Sequence, residues 1–345
     1  MKNINTNNFD FLRVVFALTV AISHLIELGQ VTVFKPYASY FNTRLAIDGF
    51  FIISGFLIAK SYENSTSVKQ YIIKRVRRIV PAYFFVVLTC AIFLVFISQN
   101  TLSEYFFNVQ FWKYLIANLT FQNYIEPCLP GVFNNNLICA VNGALWTIKI
   151  EEAFYLSVPL FYYLASTKRL NIYFLAIITY LVSIAYYNYF VSIDSYGIAK
   201  QLPGALAFFV TGIMLYKNFS FFTKWKHYII LPCIIIFFAE HYIFNTHILK
   251  PAVFGFIVFY IAYNFPFLNH FGKYGDFTYG IYIFHFPIIQ IFVHYDLFNK
   301  YNPIFTSIIV LTIVLVLAIL SWYIIELPYL SKGRKARQKK LLSKN

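Results

Sequence analysis

Charge is scarce in this chain, and negative charge most of all. Among 345 residues there are 13 Asp and Glu against 28 Lys and Arg, and charged residues make up 12% of the whole. A soluble globular domain carries about 25%. That shortage, with 60% hydrophobic and 21% aromatic residues and a mean hydropathy of +0.64, excludes an ordinary soluble domain and indicates a membrane protein. The net charge of +15 does not form a nucleic-acid face, because the basic residues gather in short clusters between apolar segments, as membrane topology demands. No Gly-rich phosphate loop, zinc-type Cys/His spacing or Gly-x-Ser-x-Gly elbow is present, and no paired Asp/Glu motif marks a bound metal. This argues against an ATP-driven pump and a soluble-hydrolase mechanism. Cysteine is also rare, with four in all. Cys90 and Cys233 fall in apolar segments and read as packing residues. Cys128 and Cys139 share one polar loop, and pair there only if it faces an oxidising compartment.

What is abundant is apolar sequence. Ten segments, near 9–29, 45–62, 79–98, 144–165, 171–190, 201–216, 228–244, 249–265, 276–295 and 304–326, approach the length needed to cross a bilayer. The expected fold is all-α: a polytopic membrane helical bundle of about ten transmembrane helices. Lys69, Lys74, Arg75, Arg77, Arg78, Lys168, Arg169, Lys217, Lys224, Lys226 and Lys273 fall in one set of connections. The opposite set holds Lys35, Arg44, Lys113, Lys200, Lys250 and Lys300. By the positive-inside rule both termini are cytoplasmic. Residues 1–330 are expected to form the transmembrane domain and 331–345 a basic cytoplasmic tail. The first segment carries Arg13, His24 and Glu27 and has no small-residue cleavage site, so it is expected to be retained. The longest outer connection, 99–143, reads as an amphipathic interfacial stretch over Glu104 to Tyr124, then a loop with Pro127, Pro130, Gly131 and three consecutive asparagines.

Ionisable groups inside a membrane are costly and so are candidates for function. Arg13 and His24 lie eleven positions apart, three helical turns, and point from one face with a rise of roughly 16 Å. Asp10 can pair with Arg13, and Glu27 can orient His24, each at a spacing of three. Asp48–Gly49 opens the second segment, and Ser54–Gly55 lets a helix or a ligand approach its backbone. Arg75 and Arg78 share a face and offer bidentate donors to phosphate, or simply meet anionic lipid. In the box from Trp146 to Tyr155, Lys149 is placed to neutralise Glu152. Glu151 is left to find a partner from another helix, with His24 or Arg13 as candidates. His285 lies in the membrane, where Pro287 loosens its helix. Glu326 packs or caps at the inner edge.

Taken in order, these stretches resemble the acyltransferase-3 family of integral membrane acyltransferases over nearly the whole chain. Asp10-Phe11-Leu12-Arg13 with His24 is similar to the family's arginine–ten residues–histidine signature. Asp48-Gly49-Phe50-Phe51 with Ser54-Gly55-Phe56-Leu57 resembles its second-helix motif, and Arg75-Val76-Arg77-Arg78 with Pro81 its arginine–two residues–arginine motif. Leu145-Trp146 with Glu151-Glu152 and Phe154-Tyr155, Thr278 to Pro287, and Glu326-Leu327-Pro328 resemble the later motifs. Lys149 departs from the family's box.

The resemblance implies a membrane-embedded O-acyltransferase of the cytoplasmic (inner) membrane. Acetyl would move from acetyl-CoA, a donor substrate rather than a tightly bound cofactor, to a hydroxyl of a surface or exported glycan such as a polysaccharide or the O-antigen of lipopolysaccharide. The chain is expected to lack the esterase-like domain of many members. Its partners would be acetyl-CoA, a glycan or lipid-linked glycan acceptor and membrane lipid, with no nucleic acid. Catalytic roles fall to His24, as general base or acyl carrier, and Glu151. Donor binding falls to Arg13, Arg75, Arg78 and Ser54, with support from Asp10, Asp48, Trp146, Tyr155 and His285. The rival reading from the residues alone is a lipid-linked glycan flippase with a charged midplane path and no acyl transfer.

Overall fold

The computed structural model describes residues 4–166, 170–244 and 246–330. The basic tail 331–345, with Lys168 and Arg169, lies outside them. All ten apolar segments are helical: α1 Phe9–Gly29, α2 Thr43–Glu63, α3 Val68–Phe93, α4 Trp146–Ser166, α5 Ile172–Ser192, α6 Leu202–Lys217, α7 Phe219–Ala239, α8 Lys250–Asn264, α9 Thr278–His294 and α10 Pro303–Ser321. Their ends follow local chemistry. Asn171 caps α5 by accepting from the Tyr173 amide, and Asn302 caps α10 through the Ile304 and Phe305 amides. Prolines sit in the first turn of α6, α8 and α10, where no amide is needed.

Among the described residues, seven helices are able to cross a membrane by length and composition, or eight if α8 and the segment after it, bent by 79°, form one broken span. The expectation of about ten is not met on that measure, for two physical reasons. Helix α4 carries Lys149, Glu151 and Glu152 within 21 residues, and α9 has only 17. The architecture is nonetheless a polytopic membrane bundle. Helix α3 also starts earlier than the apolar run, at Val68, which puts the basic cluster inside the helix.

The chain forms two compact units. Unit 1 comprises Met1–Leu12, Arg44–Ile72 and Ile150–Phe271; unit 2 comprises Arg13–Thr43, Ile73–Lys149 and Gly272–Asn345. In unit 1, α5 packs on α6, and α8 on α6 and α7. Helices α2 and α6 meet backbone to backbone: a Cβ on Gly55 would strike the Phe209 carbonyl, and one on Gly212 the Ile52 carbonyl. Gly55 therefore serves helix packing. Phe9, Phe56, Phe222, Phe259 and Tyr263 form the aromatic core beside this contact.

In unit 2, α9 packs on α10, with Gly280 against Ala318. The connection after α3 forms two short helices, Leu102–Phe106 and Val109–Leu119, in place of one interfacial stretch. Thr101 and Glu104 make a reciprocal capping box on the first. The loop that follows turns through Gly131 at φ 68°, and Cys128 and Cys139 are bonded across it with Cα atoms 5.4 Å apart.

Candidate functional site

The central feature of unit 2 is a pair of imidazoles. His24 on α1 places Nδ1 2.8 Å from His285 Nε2 on α9, and the rings are nearly parallel. His285 Nδ1 lies 3.1 Å from the Ile281 carbonyl one turn earlier. A carbonyl only accepts, so that nitrogen carries the proton. His285 is fully buried, and an imidazole so placed with a carbonyl on one nitrogen is neutral. Its Nε2 is then an acceptor, and His24 Nδ1–H is the donor. The consequence falls on the far side of His24: its Nε2 holds a bare lone pair, on a ring that is only half-buried. Sequence spacing offered Glu27 as the orienting group, but Glu27 is exposed and His285 has that place.

The long loop after α3 fixes the helix that carries His285. Gln290 on α9 donates to the carbonyls of Ile138 and Ala140 at 2.8 and 2.7 Å, and Asn136 donates to Gln290 Oε1 at 2.9 Å. Asn142 donates to the Ile283 carbonyl at 2.8 Å. Thr147 and Tyr282 share a hydroxyl hydrogen bond of 2.6 Å. Pro287 leaves backbone groups of α9 short of helical partners, and side chains of this kind re-satisfy such groups in a membrane helix.

A second cluster in the same unit holds the arginines. Arg13 donates to Asp276 at 2.7 Å. Arg78 donates to the same Asp276 oxygen at 2.7 Å and to Glu326 at 2.8 Å. The Arg78 guanidinium also lies over the rings of Tyr279 and Trp322, 5.8 and 5.6 Å from their centres. One oxygen of Asp276 thus bridges the two arginines. On α3, Arg75 is half-buried and Arg77 exposed, so the run offers cations at three depths. Glu326, read as a cap, is an ion partner that also accepts from Ser321.

In unit 1, Glu151 finds its partner on its own helix: the Tyr155 hydroxyl, four residues on, donates to Oε1 at 2.5 Å. The partner expected from another helix is thus a phenol on the same one. Ser54 is half-buried, beside the Gly55 contact. Asp48 is fully buried and lies 3.0 Å from Arg44 Nε at i,i+4. In unit 2, Trp146 is half-buried at the start of α4, and Lys149, assigned to Glu152 by spacing, sits 4.3 Å from the centre of the Tyr124 ring. Asp10 is exposed at the start of α1.

Sequence reasoning missed Asp276, Gln290 and Asn142. Asp276 had a usable signal, a lone carboxylate one turn before the Thr278 motif in a chain poor in acid. Gln290 and Asn142 had only their polarity within apolar surroundings.

The profile of the acyltransferase-3 family, described as an acyltransferase domain, matches residues 6–327. An O-acetyl transferase of Shigella phage Sf6 is 26% identical over 340 residues, covering 95% of this chain and 97% of that protein. Peptidoglycan O-acetyltransferase OatA of Listeria monocytogenes is 29% identical over 130 residues, 34% of this chain and 19% of the relative. A putative peptidoglycan O-acetyltransferase of Bacillus subtilis, YrhL, is 24% identical over 84% of this chain and 51% of its own length. The chain thus spans nearly all of the phage protein and about half or less of the other two. No solved structure matches it.

Proposed function

The chain belongs to the acyltransferase-3 family, and from that premise we propose that it moves acetyl from cytoplasmic acetyl-CoA to a hydroxyl of a surface or exported glycan. It is a multi-pass membrane O-acyltransferase. The peptidoglycan named for two relatives supports a glycan acceptor. We place it in the cytoplasmic membrane with both termini inside, a reading supported by the cation-rich connections. The Cys128–Cys139 bond, at home in an oxidising compartment, supports the loop's assignment to the outer side.

The observation that carries the mechanism is the ordered proton on His24. With Nδ1–H given to His285, Nε2 is ready to take the proton of the acceptor hydroxyl as its oxygen attacks the thioester carbonyl. The C–O bond forms, the C–S bond breaks, and the proton held by His24 passes to the departing thiolate. The same lone pair would serve as nucleophile in an acyl-histidine relay. His285 is a positioning residue here. Glu151, aimed by Tyr155, is assigned to stabilising positive charge that develops during transfer.

Arg13, Arg75 and Arg78 are assigned to the donor's phosphates. Asp276 and Glu326 hold Arg13 and Arg78 in place, with Arg75 on the same helix as Arg78. Ser54 lines the donor's path in this reading. The test feeds labelled acetyl-CoA to membranes with and without the protein and follows label in glycan, lipid and protein fractions. Protein-dependent label in glycan is expected; label that appears equally without the protein overturns the reading.

A further inference from the structure

The cation-poor set of connections contains six Lys and Arg, and three of them, Arg44, Lys200 and Lys250, act on one buried carboxylate of unit 1, Asp48. Arg44 lies over Tyr187, 5.3 Å from the ring centre, and Tyr187 stacks on His247 at 4.1 Å. Lys250 opens α8 with 4% of its surface exposed, and its Nζ lies 3.5 Å from His247 Nε2. Two carboxylates belong to the cluster. Asp48 Oδ1 lies 3.0 Å from Arg44 Nε. Glu240 accepts the amides of Leu249 and Lys250 at 2.6 to 3.0 Å, at the N-terminus of α8.

What remains is mostly donors, beside the two Asp48 oxygens, which are buried and make no hydrogen bond. Arg44 Nη1 and Nη2 are buried and make no hydrogen bond. Among the described residues no carboxylate lies within ion-pair distance of Lys250. Because an ammonium can only donate, His247 Nε2 accepts from Lys250, and Nδ1 then bears the ring proton. That Nδ1 is buried and has no partner, and His247 itself is 8% exposed. Burial and the nearby charges of Lys250 and Arg44 pull its pKa down to about 2, so the ring is neutral and its Nδ1–H is the donor. A buried ammonium with no carboxylate in contact is costly, and guanidinium, ammonium and imidazole N–H groups together fit an oxyanion.

We propose that Arg44, Lys250 and His247 form an oxyanion-binding site for the acceptor, taking a carboxylate of an acidic sugar or a phosphate of a lipid-linked glycan. The site rests on its own geometry; only the identity of what carries the anion rests on the acyltransferase reading and its topology.

The test uses the full chain in phosphatidylcholine nanodiscs. The unfolding midpoint is followed against glucuronate, inorganic phosphate and glucose at matched ionic strength, with acetyl-CoA binding measured on the same samples. A saturable rise with glucuronate supports the site and identifies a sugar carboxylate; a rise with phosphate supports it and identifies a phosphate. Glucose should give none. Lys250→Met and His247→Gln should each weaken the anion roughly tenfold or more, while acetyl-CoA binding shows that the variants are folded. No saturable rise with either anion, or the same rise in both variants, overturns the site. If labelled acetyl is transferred but no anion binds, only this inference fails; if the anion binds and no acetyl is transferred, only the acyltransferase reading fails.

Discussion

Two buried charged clusters of this protein handle charge in opposite ways. In unit 2, Arg13 and Arg78 face Asp276 and Glu326 at 2.7 to 2.8 Å. In unit 1, Asp48 lies 3.0 Å from Arg44 Nε and Glu240 accepts the α8 amides, and among the described residues no carboxylate is in ion-pair contact with Lys250. The first arrangement is a brace: it holds α1, α3 and the ends of α9 and α10 in one register. The second leaves donors over, which a brace would not need. A buried ion pair contributes little net stability, whereas losing one partner costs a great deal. The two clusters should therefore respond differently to the loss of a cation.

The largest effect is expected from Arg78→Gln, which removes the Arg78 ion pairs with Glu326 and Asp276. Unfolding in detergent should become easier by about 3–5 kcal/mol. The double variant Arg78→Gln with Glu326→Gln should recover part of that loss. No change in stability would break the contrast. In unit 1, Lys250→Met should instead be neutral or raise stability by up to about 4 kcal/mol, with the gain set against weaker anion binding. A loss as large as that of Arg78→Gln would make the two clusters alike. Gly55→Val probes the uncharged part of unit 1, where the added carbons meet the Phe209 backbone. A cost of about 1–3 kcal/mol or more is expected, read from yield and the unfolding midpoint.

The smallest effect concerns acidity. The folded-state pKa of His247 lies near 2 because of burial and the charges of Lys250, Arg44 and His241, far below an ordinary value of about 6.5. The unfolded chain binds the extra proton first, so stability should be intact above about pH 6.5 and fall as the pH drops below it. His247→Gln should flatten that slope between about pH 6.5 and 5; an unchanged slope would remove His247 from the account.

The sequence made the helices legible because apolar runs of membrane length are hard to mistake, and it placed His24, Arg13, Arg78 and Glu151 among the candidates because ionisable residues in such runs are rare. It was less informative about who meets whom. Local spacing offered Glu27 to His24 and Lys149 to Glu152, yet His285 stands 261 positions away from His24 and Lys149 sits on Tyr124. Partners so far apart in sequence leave no periodic trace. Glu151 was misjudged for the opposite reason, since its partner was four residues away but was a tyrosine. The donors left over around Lys250 had no signature in the chain, because they arise from subtraction once every contact is known.

The account's central claim is that His24 Nε2 is the base or nucleophile and that His285 fixes the proton on the other nitrogen. The most direct test is acetyl transfer from labelled acetyl-CoA by His24→Ala in reconstituted membranes, with insertion and unfolding midpoint checked against the unaltered protein. The account predicts a fall of roughly 10²–10⁴-fold in a variant that inserts and folds normally. Transfer at a near-normal rate by such a variant would contradict it.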